Sequence, residues 1–516
     1  MNRRDFVKAT ALSAASPVAR SAFASPLSGC TPAAPPFGPP PAQRLDQGPF
    51  TIDQDAGWQT VLFTTPSEKP IPNPGLGLVG YTWEENGPSV AAREGRESLE
   101  QSIEKMASLP FVDVLYIRCD WRNVQKQAGR LDLDPVWPLT FDAAKRHGLR
   151  IAFRIQLSNP EFEPERVALP DFVRARVPLA PIGKKKRHGG MVEFSEPRYD
   201  APAFQQAFSE LNTLLAERFD RDPLMEWVDL MMYGFWGEGH TSDLPNPFPD
   251  PLTARRTFER MTAQQLEAWK QVPIAVNTQP DISAVGNAEV LDLCLRAGAW
   301  MRTDSIHDEE PIQMDQFSNR PAWIAGILED GDLRRYDLAE VSEGPGVNAM
   351  ENRMLHVLDI RGNYWALWTE ADNLRRYFER YPRGFERLQT SLGYRLRPAW
   401  VWQRKRFDTF ELIVGVANRG VAGVPGTLWL TLESADGKVR LRGALDSGQP
   451  QAGGLRQASF LLPGGYSGPV RLAAELEVRP GNVRRVRWAC EQPLEADGSI
   501  TIDVKAAGDP GWRKGI

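Results

Sequence analysis

The sequence predicts an α/β fold, a (β/α)8 TIM barrel followed by a small C-terminal antiparallel β-sandwich. First, eight strand-like apolar runs alternate with helical patterns between about Gly57 and Tyr394, as βα units of a parallel sheet do. Second, near Leu392 the texture changes abruptly to short alternating runs punctuated by Gly, Pro, Asn and Asp, with no helical pattern left. Third, no glycine-rich phosphate loop follows the first strand, which tells against an open doubly wound sheet. A chain of 516 residues exceeds one ordinary domain and has room for both parts.

Taken in order, residues 1–30 read as a processing segment. Arg3 and Arg4 precede Phe6 and Lys8, and a weakly apolar stretch ends in Ala22-Phe23-Ala24, which resembles a twin-arginine export signal. Leu27-Ser28-Gly29-Cys30 resembles a bacterial lipobox, in which Cys30 is acylated. The expected location is therefore the periplasm, or the cell envelope through a lipid on Cys30, with no other membrane contact. No later run approaches the roughly 20 apolar residues of a membrane span. Residues 31–56 are Pro-rich and read as an extended linker.

Residues 57–391 are assigned to the barrel. Its expected strands are Gly75–Trp83, Val112–Trp121, Leu149–Leu157, Trp227–Trp236, Val272–Thr278, Ala299–Ser305, Ala322–Leu328 and Gly362–Trp368. Amphipathic stretches such as "APAFQQAFSELNTLLAERF" separate them, and Gly148 sits where a helix ends in a left-handed residue. Residues 392–516 are assigned to the sandwich, with strands expected in "FELIVGVANRG", "GTLWLTLES", "GKVRLRGAL", "GPVRLAAELEV" and "SITIDVKAA". The run "GKKKRHGG" reads as a mobile basic loop.

Composition narrows the function. A net charge of −5 over this length offers no field for nucleic acid or anionic lipid, so nucleic-acid partners are not expected. The 16 Trp suit a ligand with apolar faces, such as a sugar ring. Cys119, Cys294 and Cys490 form no CxxC pair and read as buried thiols. Neither a metal nor a cofactor is expected. Asp304, with His307, Asp308, Glu309 and Glu310 behind it, reads as a solvated acidic loop rather than a metal site.

In such a barrel, function belongs at the C-terminal strand ends. Those ends carry Arg118, Asp120 and Trp121; Arg154 and Gln156; Trp236 and Glu238; Asn277 and Gln279; Arg302, Asp304 and His307; Glu329 and Asp330; then Trp365, Trp368 and Glu370. Glu238 after strand four and Glu329 after strand seven are the candidate catalytic pair. Hydrolysis of an acetal needs one acid to protonate the leaving group and one carboxylate to meet the developing oxocarbenium ion. Gly237 and Gly239 allow a sharp turn beside Glu238, and the aromatic neighbours are expected to desolvate its carboxyl and raise its pKa. Asp330 and Glu370 are the alternatives to Glu329. Arg118 and Asp120 also read as an internal ion pair. Trp121, Trp236 and Trp368 sit where a sugar could stack.

Acid at strand four and nucleophile at strand seven resembles the arrangement of the clan A retaining glycoside hydrolases, which include bacterial β-galactosidases. The segment "LYIRCDWRNVQKQAGRLDLDPVWPLTFDAAKRHGLRIAFRI" is similar to their recurring arginine-bearing run, and "GFWGEGH" resembles the "GxWGEWH" stretch of bacterial barrels with a C-terminal β-sandwich. The resemblance implies an exported glycosidase acting on a carbohydrate, with Glu238 as acid/base, Glu329 as nucleophile and Arg118 steadying it. Clan A enzymes usually carry Asn-Glu at strand four, where this chain has Gly237-Glu238. Asn277 or His240 would then contact the sugar hydroxyl. The alternative is a non-catalytic carbohydrate-binding protein on a barrel that has lost turnover.

Overall fold

The computed structural model describes residues 58–505 except 85–86, 161–167, 188–189, 243, 279–286, 307–310, 331–348, 407–408, 446–453 and 464–465. The expected export signal, Cys30 and the linker lie outside the described residues.

Strand β1 (Gln59–Phe63) is followed by the barrel, whose strands are β2 (Gly77–Trp83), β3 (Val114–Asp120), β4 (Arg150–Gln156), β7 (Met225–Asp229), β8 (Ile274–Asn277), β9 (Trp300–Ile306), β10 (Gly326–Asp330) and β11 (Tyr364–Leu367). These pair in parallel and close in that order, β11 returning to β2. Strands β5 (Leu179–Arg187) and β6 (Gly190–Pro197) form an antiparallel hairpin inserted between β4 and the helix Pro202–Phe219. The basic run expected as a loop therefore supplies paired residues, Gly183 to Arg187 on β5 and Gly190 on β6.

Local chemistry explains the outer layer. Ser98 and Gln101 make reciprocal capping bonds at the start of helix Leu99–Ala107, and Gly148, at φ 68°, ends helix Val136–His147. Ile103, Met106, Phe141, Phe153 and Phe219 pack in one cluster between these helices and the barrel wall.

The C-terminal region forms two antiparallel sheets from β12 (Leu396–Arg406), β13 (Thr409–Asn418), β14 (Thr427–Ser434), β15 (Arg440–Leu445), β16 (Gly454–Leu462), β17 (Gly468–Arg479), β18 (Asn482–Val486) and β19 (Ile500–Val504). One sheet runs β1-β12-β13-β16 and the other β15-β14-β17-β18, with β19 on β17. Thus β1, inside the segment assigned to the barrel, is an edge strand of the C-terminal module. Barrel interior and sandwich share one core: Val79, Tyr116, Trp227 and Trp300 belong to the same cluster as Leu396, Leu430 and Leu476.

The junction lies at the N-terminal ends of the barrel strands. There the fully buried Glu226 of β7 accepts from Gly75 N at 2.8 Å, the Tyr364 phenol, Arg150, and Arg484 of β18. Arg479 and Asn482 add bonds to the carbonyls of Ala297 and Gln271. The sandwich is the floor of the barrel. Cys119, Cys294 and Cys490 are buried and unpaired.

Candidate active site

The fourth barrel strand ends at Asp229, seven residues earlier than expected, and from Gly234 the chain enters left-handed backbone. Gly234, Gly237 and Gly239 have φ of 81°, 74° and 82°, and Trp236 itself lies at 54°, a left-handed conformation costly for a residue with a side chain. Phe235 N donates to His240 O at 2.7 Å and Gly239 N to Tyr233 O at 2.9 Å, pinching the loop shut. A Cβ at Gly234 would stand 2.1 Å from the His240 carbonyl oxygen, so only glycine fits there. The glycines of "GFWGEGH" thus make a tight loop that turns Glu238 back over the barrel mouth.

Beneath it the interior carries three arginines. Arg118 and Arg154 are register partners on β3 and β4, and Arg302 faces them from β9. Arg118 donates through Nη2 to Glu238 Oε1 and through Nη1 to Glu329 Oε1, the latter at 3.2 Å. Arg154 donates to the same Glu238 oxygen at 2.5 Å and to Asp229 Oδ2 at 3.1 Å. Arg302 donates to Glu329 Oε2 and lies 3.3 Å from Asp229 Oδ2. Tyr81 donates its phenol to Glu329 Oε1 at 2.9 Å, and Trp227 Nε1 donates to Asp229 Oδ1 at 2.8 Å. Three guanidiniums and three carboxylates balance in charge. Glu238 and Glu329 are each only 1% exposed.

Because both glutamates bond opposite ends of one guanidinium, their nearest oxygens are separated by at most that group plus two hydrogen bonds, on the order of 8 Å. That bound covers the spacing of about 5 to 5.5 Å used in retention as well as the longer inverting separation.

The electrostatics correct one expectation. Burial pushes the Glu238 carboxyl up, but Arg118, Arg154 and the His240 ring, whose Nε2 lies 3.2 Å from Oε2, outweigh it and hold the group well below the usual carboxylate range. Trp236, two residues before it, packs against His240 and Phe235 instead.

Other expected site residues divide. Asn277 Nδ2 donates to the Glu238 backbone carbonyl at 3.2 Å, supporting the loop. Asp120 does not pair with Arg118; it accepts from Asn159 at 3.0 Å and pairs with Arg122 at 2.7 Å, and burial raises its carboxyl above the ordinary range. Trp121 is fully buried between wall and helices, edge-on to Phe204 with its indole N–H on Gln125, so it offers a ligand no face. Trp368 follows β11 and packs partly buried against the interior core. Asp304 lies on β9, its side chain outside the described residues, as is His307. Of the alternatives to Glu329, Asp330 points outward to Arg353, as strand alternation requires, and Glu370 accepts from Val90 N at 2.7 Å. Among the described residues no group of three His, Cys, Asp or Glu stands close enough to hold a metal ion.

Tyr81, Asp229 and a hairpin residue, Glu196, complete the surroundings and carry no motif. Asp229 is hidden in the sequence by the apolar run "LMMY" that follows it, which extends the apparent strand past its true end.

The sequence matches no family model and no curated relative. Solved structures with a related arrangement include the β-amylase catalytic domain of Paenibacillus polymyxa, at 10% identity and TM-score 0.38, over 59% of this chain and 94% of that one. Also similar are a cold-adapted β-galactosidase from Rahnella sp. R3, at 11% identity and TM-score 0.37 over 64% and 57%, and endoglycoceramidase II from Rhodococcus sp., at 10% and 0.34 over 78% and 99%. Likeness at this level leaves both fold and chemistry to be read from the chain's own strands and side chains.

Proposed function

We propose that the protein is an exported glycoside hydrolase that cleaves O-glycosidic bonds of an oligo- or polysaccharide by a two-carboxylate retaining mechanism. The observation that carries this reading is the bridging of Glu238 and Glu329 by Arg118 at the C-terminal ends of the strands of a closed barrel. Glu329, gripped by Arg118, Arg302 and Tyr81, is the nucleophile that attacks the anomeric carbon. Glu238 is the acid/base. In the substrate-free site its arginines keep it ionised, so a sugar entering between the carboxylates must displace both Arg118 and Arg154 from it. Burial then dominates and raises the carboxyl toward a proton donor's range. Glu238 gives its proton to the departing glycosidic oxygen as that C–O bond breaks and the bond to Glu329 forms; it then takes a proton from water, which attacks the anomeric carbon and frees Glu329. In this reading Trp236, His240 and Trp368 contact the sugar, and a twin-arginine signal with acylation at Cys30 would place the enzyme at the cell envelope.

The experiment is turnover on a panel of aryl glycosides and polysaccharides. E329Q should show none while retaining native circular dichroism, and E238A should recover activity with azide on substrates with good leaving groups. A fully active E329Q rejects the assignment.

A second reading, carbohydrate binding without catalysis, is favoured by one fact: both glutamates are ion-paired and buried in the resting site. Binding to a glycan array with no release of reducing ends, unchanged in E238Q and E329Q, would establish it.

A further inference from the structure

The β5–β6 hairpin brings a carboxyl to the underside of the Glu238 loop that the proposed chemistry does not use. Glu196, on β6, is fully buried, and so are its partners Ser158 and Tyr199. Its Oε1 accepts from Ser158 Oγ and its Oε2 from the Tyr199 phenol at 2.6 Å. Each partner passes the constraint on to the loop: Tyr199 Oη accepts from Gly234 N at 3.0 Å, and the Ser158 carbonyl accepts from Trp236 N at 3.0 Å. These two amides belong to the residues that begin the turn and carry its left-handed, non-glycine conformation. A conformation of that kind persists only where its surroundings over-determine it. The hairpin adds packing to the same loop, with Ile182 and Phe194 against Phe235.

We propose that Glu196 is a positioning residue: through Ser158 and Tyr199 it fixes the backbone of Gly234–Gly239 and so the direction in which Glu238 points. The inserted hairpin is then part of the catalytic apparatus although it touches no reacting atom. Both Glu196 oxygens are used as acceptors, so the ionised carboxylate satisfies both hydroxyls. Burial pushes its carboxyl up to about 7, against the pull of Ser158, Tyr199, the nearby His240 ring and the Gly234 amide.

The kinetic part of this inference rests on the glycosidase reading; the structural part does not. Hydrogen exchange of the Gly234–Gly239 amides is compared in the wild type, E196Q, E196A and Y199F, the last keeping its ring against Phe204. Protection at Gly234 and Trp236 should fall about tenfold or more in E196A and Y199F and less in E196Q, with β3 amides unchanged. Unaltered protection in both E196A and Y199F overturns the proposal. On a glycoside that the wild type cleaves, E196Q and Y199F should lose roughly 10- to 100-fold in kcat with KM within about threefold. A raised KM at unchanged kcat overturns the link to Glu238. A wild type that cleaves no glycoside sinks the functional reading and leaves exchange to decide the positioning role.

Discussion

At the residue scale, two buried carboxyls near the mouth are displaced in opposite directions, and their effects on stability have opposite sign. Glu238 is held below its ordinary 4.5 by Arg118 and Arg154 despite burial. Its contribution is present above that value and is lost as pH falls further. Replacing it strands two guanidiniums, so E238Q should be less stable by about 3–5 kcal/mol at pH 7 in urea unfolding, the gap closing below about pH 4. Glu196 sits near 7 when folded against 4.5 when unfolded. Its contribution is full below 4.5 and disappears as pH rises through 7. The stability of E196Q relative to wild type should therefore climb between pH 5 and 7.5 by up to roughly 3 kcal/mol. A flat difference over that range would contradict the assigned environment. Neither shift is legible in the sequence, because each depends on burial and on partners such as Arg154, 84 positions from Glu238, and Ser158, 38 positions from Glu196, brought in by the barrel or the hairpin.

At the element scale, all eight barrel strands are visible as apolar runs because a parallel sheet covered on both faces buries nearly every residue, as in β3. Their ends are less visible. The run after Asp229 stays apolar because Leu230, Met231 and Met232 are buried outside the sheet, so hydrophobicity alone misplaces the end of the strand. In the sandwich, β12 and β18 escape notice because Arg and Lys interrupt them, and β16 because its pattern is mixed. The hairpin is hidden in the sequence by its lysines, of which Lys184 and Lys186 are exposed and Lys185 is half-buried, while Ile182 and Phe194 face inward. Its attachment is testable. F194A should speed tryptic cleavage at Lys184–Arg187 by roughly an order of magnitude, with little movement of the global unfolding midpoint. Unchanged cleavage would mean the hairpin is held by something other than Phe235.

At the scale of the whole molecule, the expected boundary near Leu392 marks a change of texture and no break in packing. Strand β1 crosses back into the C-terminal sheet, the barrel interior and sandwich share a core, and Arg484 reaches the buried Glu226. Calorimetry should show one cooperative transition for both parts, and R484A should lower its midpoint without splitting it; two separate transitions would refute the shared core. The three thiols give this unity a further meaning. Cys119 and Cys294 belong to the barrel wall and its helix layer, and Cys490 lies beside the floor, so all three vanish from solvent only when the entire chain has closed. An unfolded copy met by an oxidant can cross-link wrongly at any of them, whereas a finished one offers none. Refolding yield should collapse under oxidising conditions and return with a reductant. Whether folding is complete before an oxidant is met thus sets how much of the chain reaches the native state.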